Sequence, residues 1–313
     1  MKEEVLFSDE FSNSIWTFYE TNLSERTRKE YLNVVRNFVK ITETDPLKLT
    51  QEATEKYSNY LTERIRLGRL SYSTALMRIS VMRSLCEYIR FRKNQQGKEY
   101  YNYFNDIIMP DIDKTIQQNK LPSDTELDAL LHLAHQAGDA KAFLIFSLVI
   151  KCGLTSSEIS NLNIEYIVLD MNERFCIQFP TKKKTSRIIR LPDDISRLLN
   201  TYIDGNGIFE GPVFLNKRNT RLKVRDAERI LNSYIEQGQQ NHTISHHFTF
   251  QDMRHAAFKY MLSGGASEAE VARYGGITTK WMSRYRQVIH TNDALNSADY
   301  SIIQITPKHF SSC

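Results

Sequence analysis

Between positions 248 and 285 the chain reads FTFQDMRHAAFKYMLSGGASEAEVARYGGITTKWMSRY. Arg254 stands at the start of an apolar helical pattern there, and Tyr285 follows about thirty residues later, with Ser263-Gly264-Gly265 and Gly275-Gly276 as punctuation between them. A guanidinium is always charged and offers a planar fork that clamps a phosphate through two hydrogen bonds. A phenolic oxygen can attack phosphorus and hold the product covalently. Together the two side chains have the chemistry to cut a nucleic-acid strand and conserve the energy of the broken bond, provided the fold brings them to one phosphate.

What must position them is a chain of 313 residues, enough for two domains or three. A net charge of +4 decides nothing by itself, so any argument for nucleic acid rests on where the basic residues cluster. No apolar run approaches the roughly 20 residues that span a bilayer, and the acidic start MKEEVLFSDEF has no signal-peptide core. A cytoplasmic protein with no membrane partner is expected. Cys86, Cys152, Cys176 and Cys313 are scattered without CxxC spacing; the first three read as small buried hydrophobes. His132 and His135 are three apart on a helical pattern, a pair that reads as surface rather than as a metal site.

Residues 1–110 read as a helical bundle. A short helix over 9–20 carries Phe11, Ile15, Trp16 and Phe18 on its apolar face. Ser24 caps a helix running to Thr42, with Tyr31, Val34, Val35 and Phe38 on one face and Arg26, Arg28, Lys29 and Arg36 on the other. Leu49-Thr50 introduces a third helix and residues 71–92 form a fourth, with Arg64, Arg66 and Arg69 in the turn between them. Polar residues 93–122 read as an extended connector, its core at 111–122. From 123 a second domain begins: helices over 127–137 and 140–152, the latter strongly apolar and closed by Gly153, then a short one opened by Ser156-Ser157-Glu158. The period then changes to that of strands at 166–169, 174–179 and 186–191, a small antiparallel sheet whose last turn is the lysine-rich PTKKKT. Helices over 194–203 and 222–238 follow, separated by a loop with Lys217, Arg218 and Arg221.

In this order the parts resemble the tyrosine recombinases of the phage-integrase and Xer type. SERTRKEYLNVVRNFVKI and LSYSTALMRISVMRSLCEYI are similar to the family's core-binding domain. CGLTSSEISNL resembles the segment that carries its first arginine, PTKKKTSRIIRLP its lysine hairpin, QDMRHAAF its histidine–x–x–arginine box, and RYGGITTKWMSRY the segment that ends in its nucleophile. Lys182 stands five before Arg187, and Tyr285 nine after Gly276, as the family's spacing requires. The fold implied is mainly α in two domains: an N-terminal helical, SAM-like core-binding bundle over 1–110, a linker over 111–122, and an α+β catalytic domain with a small antiparallel sheet over 123–313.

The resemblance implies site-specific cleavage and rejoining of double-stranded DNA through a 3′-phosphotyrosine, by a homo-oligomer of two to four subunits or together with a partner recombinase. Arg254 would hold the phosphate, Tyr285 would attack it and Lys182 would protonate the departing 5′-hydroxyl. No cofactor is implied, because the covalent link stores the bond. Three positions depart from the pattern: Thr155 replaces the first arginine, Gln251 the box histidine and Gly276 the third-box histidine. One such phosphate clamp is worth about 10²–10³ in rate. Gln251 can still donate a hydrogen bond but cannot carry a proton at neutral pH. His255 is expected to point away from Arg254 and not to replace either histidine; Arg273 is the other candidate for restoring lost charge.

Two further readings stand beside this one. The first is a recombinase relative that has lost catalysis and serves as a DNA-binding accessory. The second is a transcription regulator in which residues 268–285 form a helix-turn-helix, with Lys280, Trp281 and Arg284 in a major groove. For DNA contact the expected residues are Arg26, Arg28, Lys29 and Arg69 in the first domain, and Lys182, Lys183, Lys184, Lys217, Arg221 and Arg254 in the second. The segment 297–313 has two readings: it docks on a neighbouring subunit, as the resemblance implies, or it adds a strand to its own domain.

Overall fold

The computed structural model describes residues 7–108, 116, 120–171, 174–180 and 188–285. The lysine-rich turn with Lys182, Lys183 and Lys184, most of the connector, and the C-terminal segment lie outside them. The chain divides into two compact units, Met1–Ile112 and Asp113–Cys313.

In the first unit a π-helical turn, Phe11–Trp16, leads into helix α1, Glu25–Thr42, then α2, Gln51–Arg66, and α3, Tyr72–Gln95. Each of the three begins with a hydroxyl that takes an orphan amide: Ser24 from Thr27, Thr50 from Ala53, Ser71 from Thr74. The three helices pack on one another around Phe38, Tyr57, Leu61, Met82 and Leu85. The connector begins later than its polarity implies. A single-turn helix at Tyr103–Asp106 buries Phe104 completely, and the Arg83 guanidinium donates to the carbonyls of Phe104 (3.2 and 3.0 Å) and Ile107 (3.1 Å). One buried aromatic and one arginine clasp thus hold a polar-looking stretch on the bundle.

In the second unit α4, Asp124–Gln136, and α5, Ala140–Cys152, form an antiparallel pair. Eleven consecutive residues of α5, Ala142 to Cys152, are buried, which is why its sequence is apolar all round. α6, Ser156–Asn161, is followed by the strands β1, Ile167–Leu169, β2, Phe175–Gln178, and β3, Ile188–Arg190. They form an antiparallel meander with Val168 opposite Cys176 and Ile177 opposite Ile189. The strands are shorter than the alternation suggests, yet the sheet is the one expected. Helices α7, Asp193–Gly205, α8, Val224–Gln240, α9, Phe250–Ser263, and α10, Glu268–Gly275, complete the unit. Among the described residues no helix is long and apolar enough to cross a membrane.

Glu126 ties the start of α4 to the approach of α9. Burial pushes its carboxyl up, but hydrogen bonds from Ser123 and from the Ser245 amide (2.9 Å) and hydroxyl (2.7 Å) outweigh this and hold it down to about 2. A depressed carboxylate stabilises the fold above its unfolded-chain value, and that contribution disappears as pH falls through the folded value. The melting temperature is therefore expected to drop between about pH 4.5 and 2, and Glu126→Gln to flatten that stretch of the curve. A Glu126→Gln protein whose melting curve keeps the full acid dependence would contradict this.

Candidate active site

α9 is capped reciprocally: Thr249 accepts from the Asp252 amide, and the Asp252 carboxylate takes the Thr249 N–H at 2.8 Å. This fixes the helix's phase. Phe250, Met253, Arg254, Ala257, Phe258 and Met261 then share the buried face. Arg254 is consequently 4% exposed, an unusual place for a guanidinium. It donates to the Gly275 carbonyl, stands 3.7 Å from the Glu158 carboxylate, and lies over the Phe258 ring, one helical turn on, at 5.1 Å. The arginine is thus held rigidly by contacts from α6, α9 and α10.

Gly275 is part of that support. A Cβ added there would stand 2.5 Å from the tip of the Phe258 ring. Gly275→Ala therefore forces Phe258, and the carbonyl that holds Arg254, to shift. We expect a loss of about 1–3 kcal/mol in urea unfolding, the usual range for overpacking. An unchanged unfolding midpoint would show that the contact relaxes freely.

Thr155 and Gly276, the positions expected to depart from the family pattern, cap helices. Thr155 is the N-cap of α6: its hydroxyl accepts from the Glu158 amide at 3.2 Å, and Glu158 takes the Thr155 N–H at 2.8 Å. Gly276 ends α10 in the left-handed conformation, φ 61°, where glycine carries no Cβ penalty. Arg273 is exposed, near Glu270.

After Gly276 the chain makes a 3-10 run, Thr279–Tyr285. No second α-helix forms, and Trp281 is half-buried, so the recognition helix that a helix-turn-helix reader needs is not present in 277–285. The run delivers Tyr285 into a small core of Phe258, Met261, Val271, Ala272 and Met282. Tyr285 is fully buried, its ring 6.1 Å from Phe258 and 5.7 Å from Trp281. Burial pushes its hydroxyl well above the usual phenol range, although Arg254 and Arg284 pull the other way.

The hydroxyl's partner is the residue set aside on helical phase. His255 Nδ1 lies 2.5 Å from the Tyr285 oxygen. The imidazole stacks on Trp281 at 5.2 Å and 17°, and its Nε2 is 3.1 Å from the Gln251 amide one turn back on α9. His255 does lie off the buried face that carries Arg254, as its position predicts. What comes to that side is Tyr285. A return of the chain some thirty residues later has no signature in helical periodicity; the aromatic and basic density of KWMSRY was the available hint.

The other expected DNA-contacting residues are distributed as follows. Arg26 and Lys29 are exposed and engaged in i,i+4 pairs with Glu30 (3.2 Å) and Glu25 (2.7 Å), pairs weak enough to exchange for phosphates. Arg28 donates to the Leu23 carbonyl at 3.1 Å, and Arg69 is exposed in the turn before α3. Lys217 is exposed on the 216–220 turn. Arg221 is committed to the fold, its guanidinium donating to the Ser160 carbonyl (3.2 Å) and Asn163 Oδ1 (2.7 Å). Gln251 is exposed beside His255.

A scan against protein families matches residues 122–289 to the phage integrase family and residues 9–93 to the phage integrase N-terminal SAM-like domain. The first match covers more than half of the chain, and the chain belongs to that family, the tyrosine recombinases. It is 27% identical over 267 residues to a tyrosine recombinase XerC of Syntrophus aciditrophicus, covering 79% of this chain and 82% of the relative. A XerC of Pelobacter propionicus is also 27% identical, over 199 residues, with 63% and 58% covered. In fold it is similar to the Tn1549 transposon integrase in complex with transposon right end DNA (TM-score 0.61, 14% identity, 87% and 93% covered). It is likewise similar to a lambda integrase dimer bound to a COC′ core site (TM-score 0.62, 12% identity, 90% and 95% covered). The mainly helical two-domain architecture with one small antiparallel sheet is thus that of the recombinases.

Proposed function

We propose that this protein cuts and rejoins DNA at specific sites in the cytoplasm through a phosphotyrosine on Tyr285, working as an assembly of two to four subunits on double-stranded DNA. Family membership supports the reaction class. The observation that carries the reading for this chain is the meeting of Arg254, His255 and Tyr285 within one buried cluster, since a DNA-binding relative without chemistry has no use for a phenol and an arginine held at such cost. Burial of an arginine beside a tyrosine and a histidine is expensive unless each is matched by polar partners.

In the reaction Arg254 binds the scissile phosphate and neutralises charge as the five-coordinate transition state forms. Tyr285 attacks in line, and the P–O5′ bond breaks. Lys182, by its register in the hairpin sequence, supplies the proton to the leaving 5′-oxygen. A 5′-hydroxyl from another strand reverses the step. Tyr285 is closed off from solvent in the protein alone, so binding of DNA must open the Trp281–Tyr285 turn or draw a phosphate into it. With Thr155 capping α6, the phosphate relies on one guanidinium from the family's pair. The two units carry the remaining DNA contacts, Arg26, Lys29 and Arg69 in the first and Lys183, Lys184 and Lys217 in the second, whose removal lowers the salt dependence of binding.

The test is a selection. A pool of random-sequence duplexes carrying a nick beside each candidate phosphate traps the covalent intermediate, because the short 5′-fragment diffuses away. Capture under denaturing conditions, followed by sequencing, is expected to enrich one inverted-repeat core. Enrichment under native conditions with none surviving denaturation would instead support the non-catalytic accessory.

A further inference from the structure

We infer that His255 is the group that takes the proton from the Tyr285 hydroxyl during attack, with Gln251 as the residue that positions its ring. The inference rests on the strand-cleaving role proposed above and concerns which group acts at the nucleophile. The two family positions that hold histidines are here Gln251 and Gly276, and neither side chain can accept a proton at neutral pH. His255 stands 2.5 Å from the oxygen to be deprotonated, inside hydrogen-bond reach of a general base.

Three observations give the imidazole the properties this requires. Stacking on Trp281 and the close Gln251 amide fix the ring plane, with one nitrogen toward Tyr285 and the other toward α9's preceding turn. The neutral ring carries one proton. The Gln251 atom 3.1 Å from Nε2 is its amide nitrogen; a half-turn of that amide exchanges nitrogen and oxygen, and the oxygen then receives the Nε2 proton and leaves Nδ1 as acceptor. The charged neighbours are Asp252 and Arg254 on α9 and Arg284 on the final turn. Burial first, then the two arginines, hold the imidazole down to about 4 against the opposing pull of Asp252, so it is neutral at physiological pH. A phosphodiester arriving on Arg254 brings negative charge into the same cluster, which strengthens the base when the substrate is in place.

The step balances. The Tyr285 proton passes to His255 Nδ1 as the phenolic oxygen bonds to phosphorus and the P–O5′ bond breaks, O5′ taking its proton from Lys182. On rejoining, the incoming 5′-hydroxyl gives its proton to Lys182, and the departing phenolate recovers its own from His255. The ring then returns to its starting tautomer.

The test is single-turnover adduct formation on the nicked duplex recovered by the selection, with DNA affinity measured alongside as the control for folding. His255→Ala and His255→Asn are expected to bind DNA normally and to form adduct about 10²-fold or more slowly. Imidazole in solution is expected to restore part of the His255→Ala rate. A substrate with sulfur in place of the bridging 5′-oxygen, whose leaving group needs no proton, is expected to rescue Lys182→Ala and to leave His255→Ala slow. Gln251→Ala is expected to slow attack less and to shift its pH profile, with Gln251→Glu restoring the rate by taking the Nε2 proton. Wild-type rates in both His255 variants, or rescue of His255→Ala by the sulfur leaving group, would overturn the inference while a wild-type adduct upholds the strand-cleaving role. Absence of any wild-type adduct would remove that role and this inference together.

Discussion

Tyr285→Phe is expected to abolish strand cleavage, by a factor on the order of 10⁵–10⁶ as for removal of other enzymatic nucleophiles, while DNA binding stays unchanged. The substitution is nearly isosteric, and the ring's contacts with Phe258 and Trp281 do not involve the hydroxyl. What disappears is one hydrogen bond to His255, worth roughly 1 kcal/mol of stability. The effect on chemistry thus exceeds the effect on folding by several kcal/mol, which makes the variant interpretable. Equal adduct yields from both proteins would assign the nucleophile elsewhere. Comparison of covalent capture and gel-shift affinity for the two proteins is the measurement.

Arg254→Lys is expected to have the next largest effect, about 10²–10³ in the cleavage rate. Lysine keeps the positive charge but loses the planar fork, and an ammonium cannot both hold the Gly275 carbonyl and present two parallel donors to a phosphate. On the proposed reading, in which Thr155 stands where the family has its other arginine, no second guanidinium compensates. A further consequence is structural: Glu158, the Phe258 face and the Gly275 carbonyl all adjoin this guanidinium, so the variant should also melt lower. Chemistry and stability can be separated by the rate at saturating DNA well below the melting temperature. A rate within a few-fold of wild type there would mean that Arg254 supports the fold and does not clamp the phosphate.

The parts of the fold that announce themselves in sequence are those in which local chemistry and tertiary demand agree. Ser24, Thr50, Ser71 and Ser123 cap helices where they stand in the chain, and α5 is apolar on every side because it is buried on every side. Where a single long-range contact decides, the sequence is silent. The segment around Phe104 reads as linker because its neighbours are polar; one fully buried ring and the Arg83 clasp reverse that. Arg221 reads as a DNA contact because it is an arginine in a loop, and its partners at Ser160 and Asn163 are about sixty residues away. The site divides in the same way. Arg254 and Tyr285 are visible from type and spacing, whereas His255 looks like a bystander until the Thr279–Tyr285 run folds back across its side of α9.

One measurement addresses the central claim most directly. Wild-type protein is incubated with the selected nicked duplex, the covalent complex is digested with protease, and the DNA-linked peptide is sequenced by mass spectrometry. The account predicts a single peptide containing Tyr285, joined through its oxygen to a 3′-phosphate. A DNA-linked peptide from any other part of the chain, or no covalent complex on DNA that the protein binds tightly, would contradict it.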